Sequence, residues 1–428
     1  MAKGWKRASL LFVAAALLLM MVASACSKGG SGKGDSFTLR VAMGSPGEGP
    51  IKAWEQLGEM FEKENPHIKV EYIFQSDDIY ETIGLVNLLN GENPPDIYFE
   101  WAGERLNMRY EEGFAADLSE YLDDADWKER FDPAAYNGMR INDGIYMVPS
   151  TREVSNMIWY NKKIFADLGL KEPANWAEWM EICGKIKEAG IVPMASGNKD
   201  LWAAGNWIGH LVSRVVGEDA YSAALTLEQP FNTPEFAEAL SYAKELWDKG
   251  YINDSVNAIS DNEGAALFFN GQAAMHPIGS WLLPWALEEA PDLEFDFFNL
   301  PAIPGARGDQ SSVLQVATGY MVNAKSEHIA EAMEFLKMYT SPEVTQLFVA
   351  AGQTPAVKWA LDGDDVHPLV LKINEMMNET LTAVAPPDVG YNLEVASAFY
   401  MAISQVLGGA ASPEDALAEL DRTIAHLK

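Results

Sequence analysis

The hydrophobic and polar positions of the chain alternate with two different periods from residue 37 onward. Residues 37–43 alternate as a strand, and the next apolar residues recur at helical spacing until Asn65-Pro66: Ile51, Trp54, Leu57 and Phe61. Residues 68–74 and 97–99 predict two further strands. Between them we expect a second helix with one apolar face, made of Ile79, Ile83, Val86 and Leu89. This strand–helix–strand–helix–strand order predicts an α/β fold with a doubly wound sheet.

Start signals mark several later helices. Asn175 is followed three residues later by Glu178, which predicts a capping box at the start of an apolar-periodic stretch. The same helix carries Cys183 on its apolar face, so this thiol is expected in the core and not as a nucleophile. Other helices are expected where a cap residue precedes proline: Thr233-Pro234, Ser341-Pro342 and Ser412-Pro413.

The N-terminus has the layout of a secretory signal. A short basic region precedes an apolar or small-residue run from Leu10 to Ala25. This run is shorter than the roughly 20 residues that a membrane-spanning helix needs. Residues 1–25 are therefore predicted to be a signal peptide, and we expect the mature protein to be exported without spanning a membrane.

The residue after this signal is one of two cysteines in the chain. The stretch VASAC (22–26) resembles the bacterial lipobox, in which the signal is cut just before a cysteine that carries lipid, although Ala23 stands where lipoboxes usually have Leu. The resemblance implies a lipid anchor on Cys26; the alternative is an ordinary signal with an incidental cysteine. Residues 26–36 are rich in Ser, Gly and Lys and predict a flexible tether. With Cys26 lipidated, Cys183 has no partner for an intramolecular disulfide.

Composition and charge narrow the class of protein. The chain has 428 residues, of which 48% are hydrophobic, enough to bury one or two large cores. Its formal net charge is −31, and loss of the basic signal residues makes the mature chain more negative. So acidic a surface argues against binding to nucleic acid or to anionic lipid, which leaves the lipid anchor as the predicted membrane contact.

Phrases spread from residue 37 to the C-terminus resemble the extracellular solute-binding proteins of bacterial ABC importers, in the large sugar-binding family that includes maltose-binding protein. They are FEKENPHIKVEY, NPPDIYFEW, DGIYMVP, MIWYNKKIFADLGLKEPANWAEW, KIKEAGIVPMASGNKD, ALFFNGQAAMHPIGSW, NLPAIPG and EAMEFLKMYTSPEVTQLFVAAGQTP. Each phrase alone is weak evidence, but their number and order support the assignment. Membership does not fix the ligand.

The resemblance implies a two-lobed fold of the periplasmic-binding-protein type, with a doubly wound sheet in each lobe and the ligand cleft between them. Several chain crossings would form the hinge. One lobe would comprise residues 37–150 and 318–352, and the other residues 151–317 and 353–428. Closure around the ligand would present a liganded surface to ABC permease subunits, with the protein acting as a monomer and without a cofactor.

A sugar has flat C–H faces and a rim of hydroxyls, so its site needs aromatic platforms and planar polar side chains. Trp101 follows the predicted strand at 97–99, and the run WAGER (101–105) is similar to a Trp-Ala-x-acid-Arg run in maltose-binding protein. The resemblance implies that Trp101 stacks on a sugar ring and that Glu104 accepts hydroxyl hydrogens. The alternative is a Trp that packs the loop onto its own lobe.

Two further tryptophans are candidate ligand platforms. Trp281 ends a segment that lines the cleft from the opposite lobe in the family, and Gly279-Ser280 would let the backbone approach the ligand. Trp202 stands in a predicted polar loop after the strand IVPMA, where burial in a core is less natural. For both residues the alternative is a place in the core.

Other candidate ligand residues follow from position. Gln75 lies at the carboxyl end of a predicted strand and could both donate and accept hydrogen bonds. Glu153 and Tyr320 lie near the first two predicted chain crossings, and Tyr391 precedes the last long helix. Packing at the hinge is the alternative for these last three residues.

The rival functional class is a secreted enzyme, above all a glycosidase. Glu100 and Glu104 could be its carboxylate pair, but the chain is rich in acids and lacks a Gly-x-Ser-x-Gly elbow. Its histidines have no metal-ligand spacing, and DGDD (362–365) lacks the other ligands of a calcium loop. The sequence therefore predicts neither a catalytic residue nor a metal site.

A second alternative keeps the fold and changes the ligand to a polyamine, a phosphodiester or a metal complex. A cation could use the same aromatic side chains through cation–π contacts. The 13 tryptophans favour an oligosaccharide, because each stacked sugar ring needs its own platform.

Overall fold

The computed structural model describes residues 36–76, 79–359, 366–380 and 382–428. The predicted signal peptide, Cys26 and all of the tether except Ser36 lie outside these residues, as does the acidic loop at 362–365. In the described part of the chain, no helix is both long enough and apolar enough to cross a lipid bilayer.

Among the described residues, the strands form two sheets and one short hairpin. The strands are β1 (Phe37–Gly44), β2 (Ile68–Gln75), β3 (Ile97–Trp101), β4 (Arg140–Ile141), β5 (Gly144–Ile145), β6 (Val148–Val154), β7 (Met157–Asn161), β8 (Val192–Met194), β9 (Ala273–Ile278), β10 (Phe295–Asn299), β11 (Val313–Val322) and β12 (Ala383–Val384). The first sheet has the order β12-β11-β3-β1-β2, with β6 paired to β11, and the second has the order β10-β7-β9-β8.

The pairing directions differ between the two sheets. In the first, β1 runs parallel to β2 and β3, as the predicted strand–helix–strand order requires, and β11 runs antiparallel to β3. In the second, β7 runs antiparallel to both β10 and β9, and β8 and β9 are parallel. Both sheets are therefore mixed, although helices cover them as in a doubly wound fold.

Helices connect the strands throughout the chain. The α-helices are α1 (Glu48–Glu64), α2 (Leu85–Leu89), α3 (Glu104–Glu111), α4 (Ser119–Leu122), α5 (Ala125–Arg130), α6 (Lys162–Asp167), α7 (Trp176–Glu188), α8 (Trp202–Val216), α9 (Glu218–Leu225), α10 (Pro234–Asp248), α11 (Asp261–Phe269), α12 (Leu282–Glu289), α13 (Ile329–Tyr339), α14 (Pro342–Ala350), α15 (Pro368–Glu379), α16 (Pro387–Gly390), α17 (Leu393–Leu407) and α18 (Pro413–Thr423). A π-helix (Tyr80–Gly84) precedes α2, and 3₁₀ turns occur at Pro133–Tyr136 and Ala425–Leu427.

Each sheet is buried on both faces, because successive strand residues point to opposite sides. On β1, Val41 packs into a cluster with Trp54 of α1, whereas its neighbour Ala42 packs with residues of α2 and α3. On β7, Ile158 packs with α7 and α8, whereas Trp159 packs with α11 and α12. The two sheets with their helices form two lobes, and the free thiol of Cys183 is buried in the core of the second, as predicted.

A ribbon of two antiparallel strands, β6 and β11, joins the lobes. Its Val148 end pairs with Tyr320 in the first sheet, and its other end reaches the second lobe, where the Ser280 N–H donates to Val154 O at 2.8 Å. Residues 354–356 flank the outer edge of β6, where the Arg152 N–H donates to Thr354 O at 2.9 Å. Three chain segments therefore lie side by side between the lobes. The division of the lobes at residues 150, 317 and 352 stays a prediction.

The segment before α2 differs from its predicted form. Ile79, Ile83 and Val86 are exposed, with Ile83 at 63%, and Tyr80 is buried in their place. The Tyr80 hydroxyl donates to Phe99 O at 2.7 Å, which holds Tyr80 on the buried face of the segment. Apolar periodicity does not reveal this polar contact. The predicted apolar face is therefore wrong for these three residues, although Leu89 is buried.

The predicted helix starts agree with the structure. The Thr233, Ser341 and Ser412 side chains each accept a hydrogen bond from a backbone N–H in the first turn of their helix. Asn175 caps α7, as predicted. A capping box would have Glu178 accept from the Asn175 N–H, but Glu178 accepts from the Ala174 N–H instead, at 2.9 Å.

One buried histidine couples the stability of the second lobe to pH. His210 on α8 is fully buried, and its Nε2 lies 2.9 Å from Ser312 Oγ. Burial and the nearby Arg214 guanidinium lower the pKa of His210 well below its usual value. The folded state therefore holds the neutral ring. This stabilisation is complete above the unfolded pKa of about 6.5 and is lost as the pH falls below it.

We predict that the wild type loses up to about 2 kcal/mol more unfolding free energy than His210→Gln when the pH falls from 7 to 5. Gln keeps a polar nitrogen near the Nε2 position but takes up no proton. Urea unfolding of both proteins at the two pH values measures the difference, in which all other titrating groups cancel. Equal losses in the two proteins would contradict a neutral, buried His210.

Candidate ligand-binding site

A large cleft lies between the two lobes, over the carboxyl ends of β1 and β3. It has a volume of about 1330 Å³, part of which is open to solvent. Residues that follow β1, such as Ser45 and Pro46, line one wall together with Phe99 and Trp101 of β3. The carboxyl edge of parallel strands is where ligands bind in open α/β sheets, so the sequence order places the cleft at this edge.

Aromatic side chains from both lobes line the cleft. The first lobe and the ribbon contribute Phe99, Trp101 and Tyr320, and the second lobe contributes Trp202, Trp281 and Trp285. Of the eight candidate residues predicted from sequence, the cleft brings together five: Trp101, Glu153, Trp202, Trp281 and Tyr320. The predicted platforms therefore face one space from opposite sides.

Trp101 is held by two neighbours. Phe99 meets it edge to face, with ring centroids 4.9 Å apart. The guanidinium of Arg105 on α3 lies 4.8 Å from the centre of the Trp101 ring, a cation–π contact that fixes the indole plane. Arg105 also donates to Glu81 O at 3.4 Å, which ties α3 to the π-helix. Trp101 is thus an oriented platform and lines the cleft.

Trp281 and Trp202 form a pair on the opposite wall, with ring centroids 6.0 Å apart and planes inclined by 52°. A Cβ at Gly279 would lie 2.1 Å from Cζ3 of Trp281. Gly279 therefore makes room for the Trp281 ring, whereas the sequence suggested room for the ligand. Trp202 is the first residue of α8, where a polar loop was predicted.

The ribbon forms the floor of the cleft. The Thr151 hydroxyl donates to Glu153 Oε1 at 3.1 Å and lies 2.8 Å from the hydroxyl of Thr318. These contacts orient the Glu153 carboxylate along the floor. Tyr320 is only 5% exposed, and its hydroxyl contacts Met43 Sδ at 3.7 Å. Tyr320 thus mainly packs the hinge, which was the alternative to a role in ligand binding.

The second lobe adds a polar wall made of Asn206 on α8 and Asp388 on α16. Burial raises the pKa of Asp388, and both the positive charge of Arg105 and a hydrogen bond from Tyr400 oppose this rise. Arg105 belongs to the first lobe, so its positive charge acts across the cleft on the Asp388 carboxyl group of the second lobe.

Both rims of the cleft carry contacts between the lobes. At one rim, the Glu48 N–H at the start of α1 donates to Glu288 Oε2 of α12 at 2.9 Å. At the other rim, a Cβ on Gly103 would lie 2.5 Å from Val389 O, so only glycine allows α3 to approach α16 this closely. The structure therefore corresponds to a closed arrangement of the lobes.

Gln75, Glu104 and Tyr391 are not among the lining residues. The Gln75 side chain lies beneath the π-helix, where its Oε1 would be 2.0 Å from a Cβ at Gly84. Glu104 accepts a long hydrogen bond of 3.5 Å from Asn107 Nδ2 of its own helix, on the exposed side. Tyr391 packs against the core of the second lobe. In each case a local contact, which spacing in the sequence does not show, directs the side chain away from the cleft.

The carboxylate pair considered for a glycosidase is not assembled at the cleft. Glu100 is fully buried and accepts from Arg109 Nε at 2.8 Å. Strand alternation on β3 explains this, because Glu100 points away from the side that Phe99 and Trp101 share.

Several lining residues were missed by the sequence analysis. Trp285 follows Trp281 by four residues, a helical spacing that could have revealed it. Asn206, likewise, is one turn after Trp202 on α8. Arg105 stands next to Glu104, and the start of α3 at Glu104, after the N-cap residue Gly103, decides which of the two faces the cleft. Asp388 carries no comparable signal, because it lies on a four-residue helix.

Comparison with known proteins identifies a matching family. Residues 44–346 match the family model described as bacterial extracellular solute-binding protein. This match covers most of the chain and includes the cleft tryptophans Trp101, Trp202, Trp281 and Trp285.

Individual relatives are similar over most of their length. The chain is 26% identical to a multiple sugar-binding protein of Streptococcus mutans, over 86% of each chain. It is 25% identical to an uncharacterized ABC transporter extracellular-binding protein of Pyrococcus horikoshii, over 95% of this chain and 92% of the relative. The solved structure of a chitin oligosaccharide binding protein shares the fold, with a TM-score of 0.82 and 22% identity over 92% of this chain and 99% of that one.

We predict that Gly279→Ala displaces the Trp281 ring, because the added methyl group overlaps it. The expected result is a changed near-ultraviolet circular dichroism spectrum and a stability loss of roughly 1–3 kcal/mol. Gly49→Ala is the matched control, since its added Cβ would have its nearest neighbour at an ordinary 3.7 Å. Identical spectra for the wild type and Gly279→Ala would show that Trp281 does not occupy this position.

Proposed function

The chain belongs to the family of bacterial extracellular solute-binding proteins, and we propose that it captures an oligosaccharide outside the cell and delivers it to an ABC permease. The observation that carries this proposal is the set of tryptophans on facing walls of one cleft: Trp101 on one side, and Trp202, Trp281 and Trp285 on the other. Aromatic faces match the C–H faces of sugar rings, and the polar groups between them match hydroxyls.

The spread of tryptophans over both walls of the cleft favours a ligand of more than one ring. Tryptophans at several places along the walls offer separate platforms for successive rings. The names of a sugar-binding relative and of a chitin oligosaccharide binding neighbour support the same ligand class.

Capture works by closure of the lobes in this proposal. Ligand stabilises the closed arrangement because only there do both tryptophan walls contact it, and a ligand shifts an equilibrium only by such differential contacts. The contacts at the two rims, Glu48 with Glu288 and Gly103 with Val389, would then form on closure and break on release.

The protein performs no chemistry on its ligand in this proposal. Glu100 is engaged by Arg109, and Glu104 lies outside the cleft lining. The sugar recovered after binding should therefore be unmodified.

A polyamine is the second candidate ligand, because carboxylates also line the cleft. Glu81, Glu153 and Asp388 could balance ammonium groups while the tryptophans contribute cation–π contacts. Thermal-shift assays against maltotriose, raffinose, chitotriose and spermidine separate the two classes. A ligand at 100 times its dissociation constant adds about 2.7 kcal/mol to stability, which such an assay detects readily. A shift with spermidine alone would refute the sugar proposal.

Export of the mature chain follows from the family, and we propose that a lipid on Cys26 holds it at the outer face of the cell membrane. The tether at residues 26–36 would leave the lobes free to reach the permease. Its contact with the membrane would be limited to the lipid anchor and the permease, with the protein acting as a monomer.

We predict that Trp101→Ala and Trp281→Ala each weaken sugar binding by roughly 1–3 kcal/mol, because each removes one aromatic platform. Calorimetry with the sugar that gives the largest thermal shift measures the loss. The melting temperature without ligand should change little.

Trp179→Phe provides the comparison, because Trp179 is fully buried in the second lobe away from the cleft. It should lower the melting temperature and leave the affinity of the folded protein unchanged. The opposite pattern, with Trp281→Ala lowering only stability, would place Trp281 in the core and not in the binding site.

We predict that Cys26→Ser releases the protein from the membrane fraction, because multiple acyl chains hold a protein stably on a membrane and a serine at this position carries none. Fractionation of cells that express each form, followed by immunoblotting, measures the distribution. Cys183→Ser serves as the control and should stay with the membrane. Equal membrane retention of Cys26→Ser and the wild type would refute the lipid anchor.

A further inference from the structure

A buried tyrosine lies behind the polar wall of the cleft and joins its two members. Tyr400 on α17 is only 3% exposed. Its hydroxyl oxygen lies 2.5 Å from Asn206 Oδ1 and 2.9 Å from Asp388 Oδ1. The Asp388 N–H also donates to this oxygen, at 3.2 Å. Asn206 and Asp388 line the cleft, whereas Tyr400 does not.

The Tyr400 hydroxyl makes two oxygen–oxygen contacts, to Asn206 and to Asp388, but has only one hydrogen to donate. The Tyr400 hydroxyl has a single hydrogen, and both neighbouring side-chain oxygens are acceptors when Asp388 is ionised. Two arrangements satisfy all three groups. In the first, Asp388 is protonated and donates to Tyr400, which donates to Asn206, so that the Asn206 NH₂ faces the cleft. In the second, Asp388 is ionised and accepts from Tyr400, while the Asn206 amide is turned to donate to Tyr400 and presents its oxygen to the cleft.

We propose that Tyr400 is a positioning residue of the binding cleft, whose hydroxyl links Asn206 to Asp388 and determines whether Asn206 presents a hydrogen-bond donor or an acceptor to the ligand. This inference rests on the function proposed above. It assigns a role to a side chain that does not touch the ligand, and it makes the polar wall a single unit with two states.

The packing around Tyr400 holds the hydroxyl in place. A Cβ at Gly205 would lie 2.4 Å from the Tyr400 ring, so glycine at this position of α8 lets the ring lie directly against the helix backbone. Gly205 precedes Asn206, and the same close approach brings the hydroxyl to the Asn206 amide. The unit is therefore built by α8, α16 and α17 together.

Charged and titratable groups face Asp388 from several elements. Arg105 faces it from α3 of the other lobe, Tyr400 faces it from α17, and Tyr221 on α9 interacts with it electrostatically. Burial raises the pKa of Asp388, while Arg105 and the Tyr400 hydrogen bond act in the opposite direction. Removing the hydroxyl takes a charge-assisted bond away from the ionised carboxylate, so the pKa of Asp388 should rise further.

The test compares the titration of Asp388 in the wild type and in Tyr400→Phe, without ligand. Protein labelled with ¹³C at the aspartate carboxyl carbons is titrated by NMR, and the Asp388 signal is assigned by its loss in Asp388→Asn. We expect the midpoint to move upward by about 1 pH unit in Tyr400→Phe. Tyr221→Phe is the matched control, because the Tyr221 hydroxyl is buried in the same core and has no hydrogen-bond partner among the described residues. Burial raises the pKa of Tyr221 and keeps its hydroxyl neutral over the titrated range, so Tyr221→Phe should leave the Asp388 midpoint nearly unchanged.

A second readout links the unit to binding. Closure removes Asp388 from water and brings Arg105 close to it, and burial is the larger of these two opposing influences on the pKa of Asp388. Binding should therefore favour the neutral form of Asp388, and affinity for a neutral sugar should rise as the pH falls through the midpoint. Calorimetry from pH 4 to pH 7 with maltotriose, raffinose and chitotriose should show this rise in the wild type, and the rise should begin at higher pH in Tyr400→Phe.

The outcomes distinguish the two proposals. An Asp388 midpoint that is the same in Tyr400→Phe as in the wild type, or a binding profile that does not move with the midpoint, overturns the role of Tyr400. Absence of binding by every sugar overturns the proposed ligand class, and the NMR titration then still decides whether Tyr400 governs the protonation of Asp388.

Discussion

The antiparallel pairing of β6 with β11 is the constraint on which the rest of the structure depends. Strand β6 pairs with the first sheet at its Val148 end, and its Val154 end is hydrogen-bonded to the second lobe. A Cβ on Gly319 would lie 2.3 Å from the Met147 side chain, so glycine permits the irregular register in the middle of the ribbon. The same ribbon connects the two lobes and forms the floor of the cleft, to which it contributes Glu153. Any bend of the ribbon therefore changes the distance between the tryptophan walls.

Much of this arrangement could be predicted from the sequence. The periods of β1, α1 and β2 are clear, because each has one unambiguous apolar pattern, and proline after a cap residue marked three helix starts. Trp101 and Trp202 were chosen because each follows a predicted strand, and the resemblance to the sugar-binding family pointed to Trp101 and Trp281. The structure places all three at the cleft. Glu153 and Tyr320 followed from their closeness to the predicted crossings.

The remaining features depend on contacts that spacing does not encode. The exposed face of Ile79 and Ile83 results from a hydrogen bond of the Tyr80 hydroxyl to a distant strand, which overrides apolar periodicity. Gln75 lies beneath the π-helix that contains Tyr80, against Gly84. The choice between Glu104 and Arg105 depends on where α3 begins, and Asp388 becomes part of the site only because α16 packs against both α3 and α17. Each of these misses concerns the direction of a side chain and not the existence of an element.

The central claim is that two lobes joined by the ribbon close around an oligosaccharide. Small-angle X-ray scattering of the protein, with and without a saturating amount of the sugar selected by thermal shift, tests it most directly. The account predicts a smaller radius of gyration with the sugar, and no decrease for Trp281→Ala at a sugar concentration that saturates only the wild type. An unchanged radius of gyration and distance distribution, under conditions where calorimetry shows the sugar to be bound, would contradict closure as the mechanism of capture.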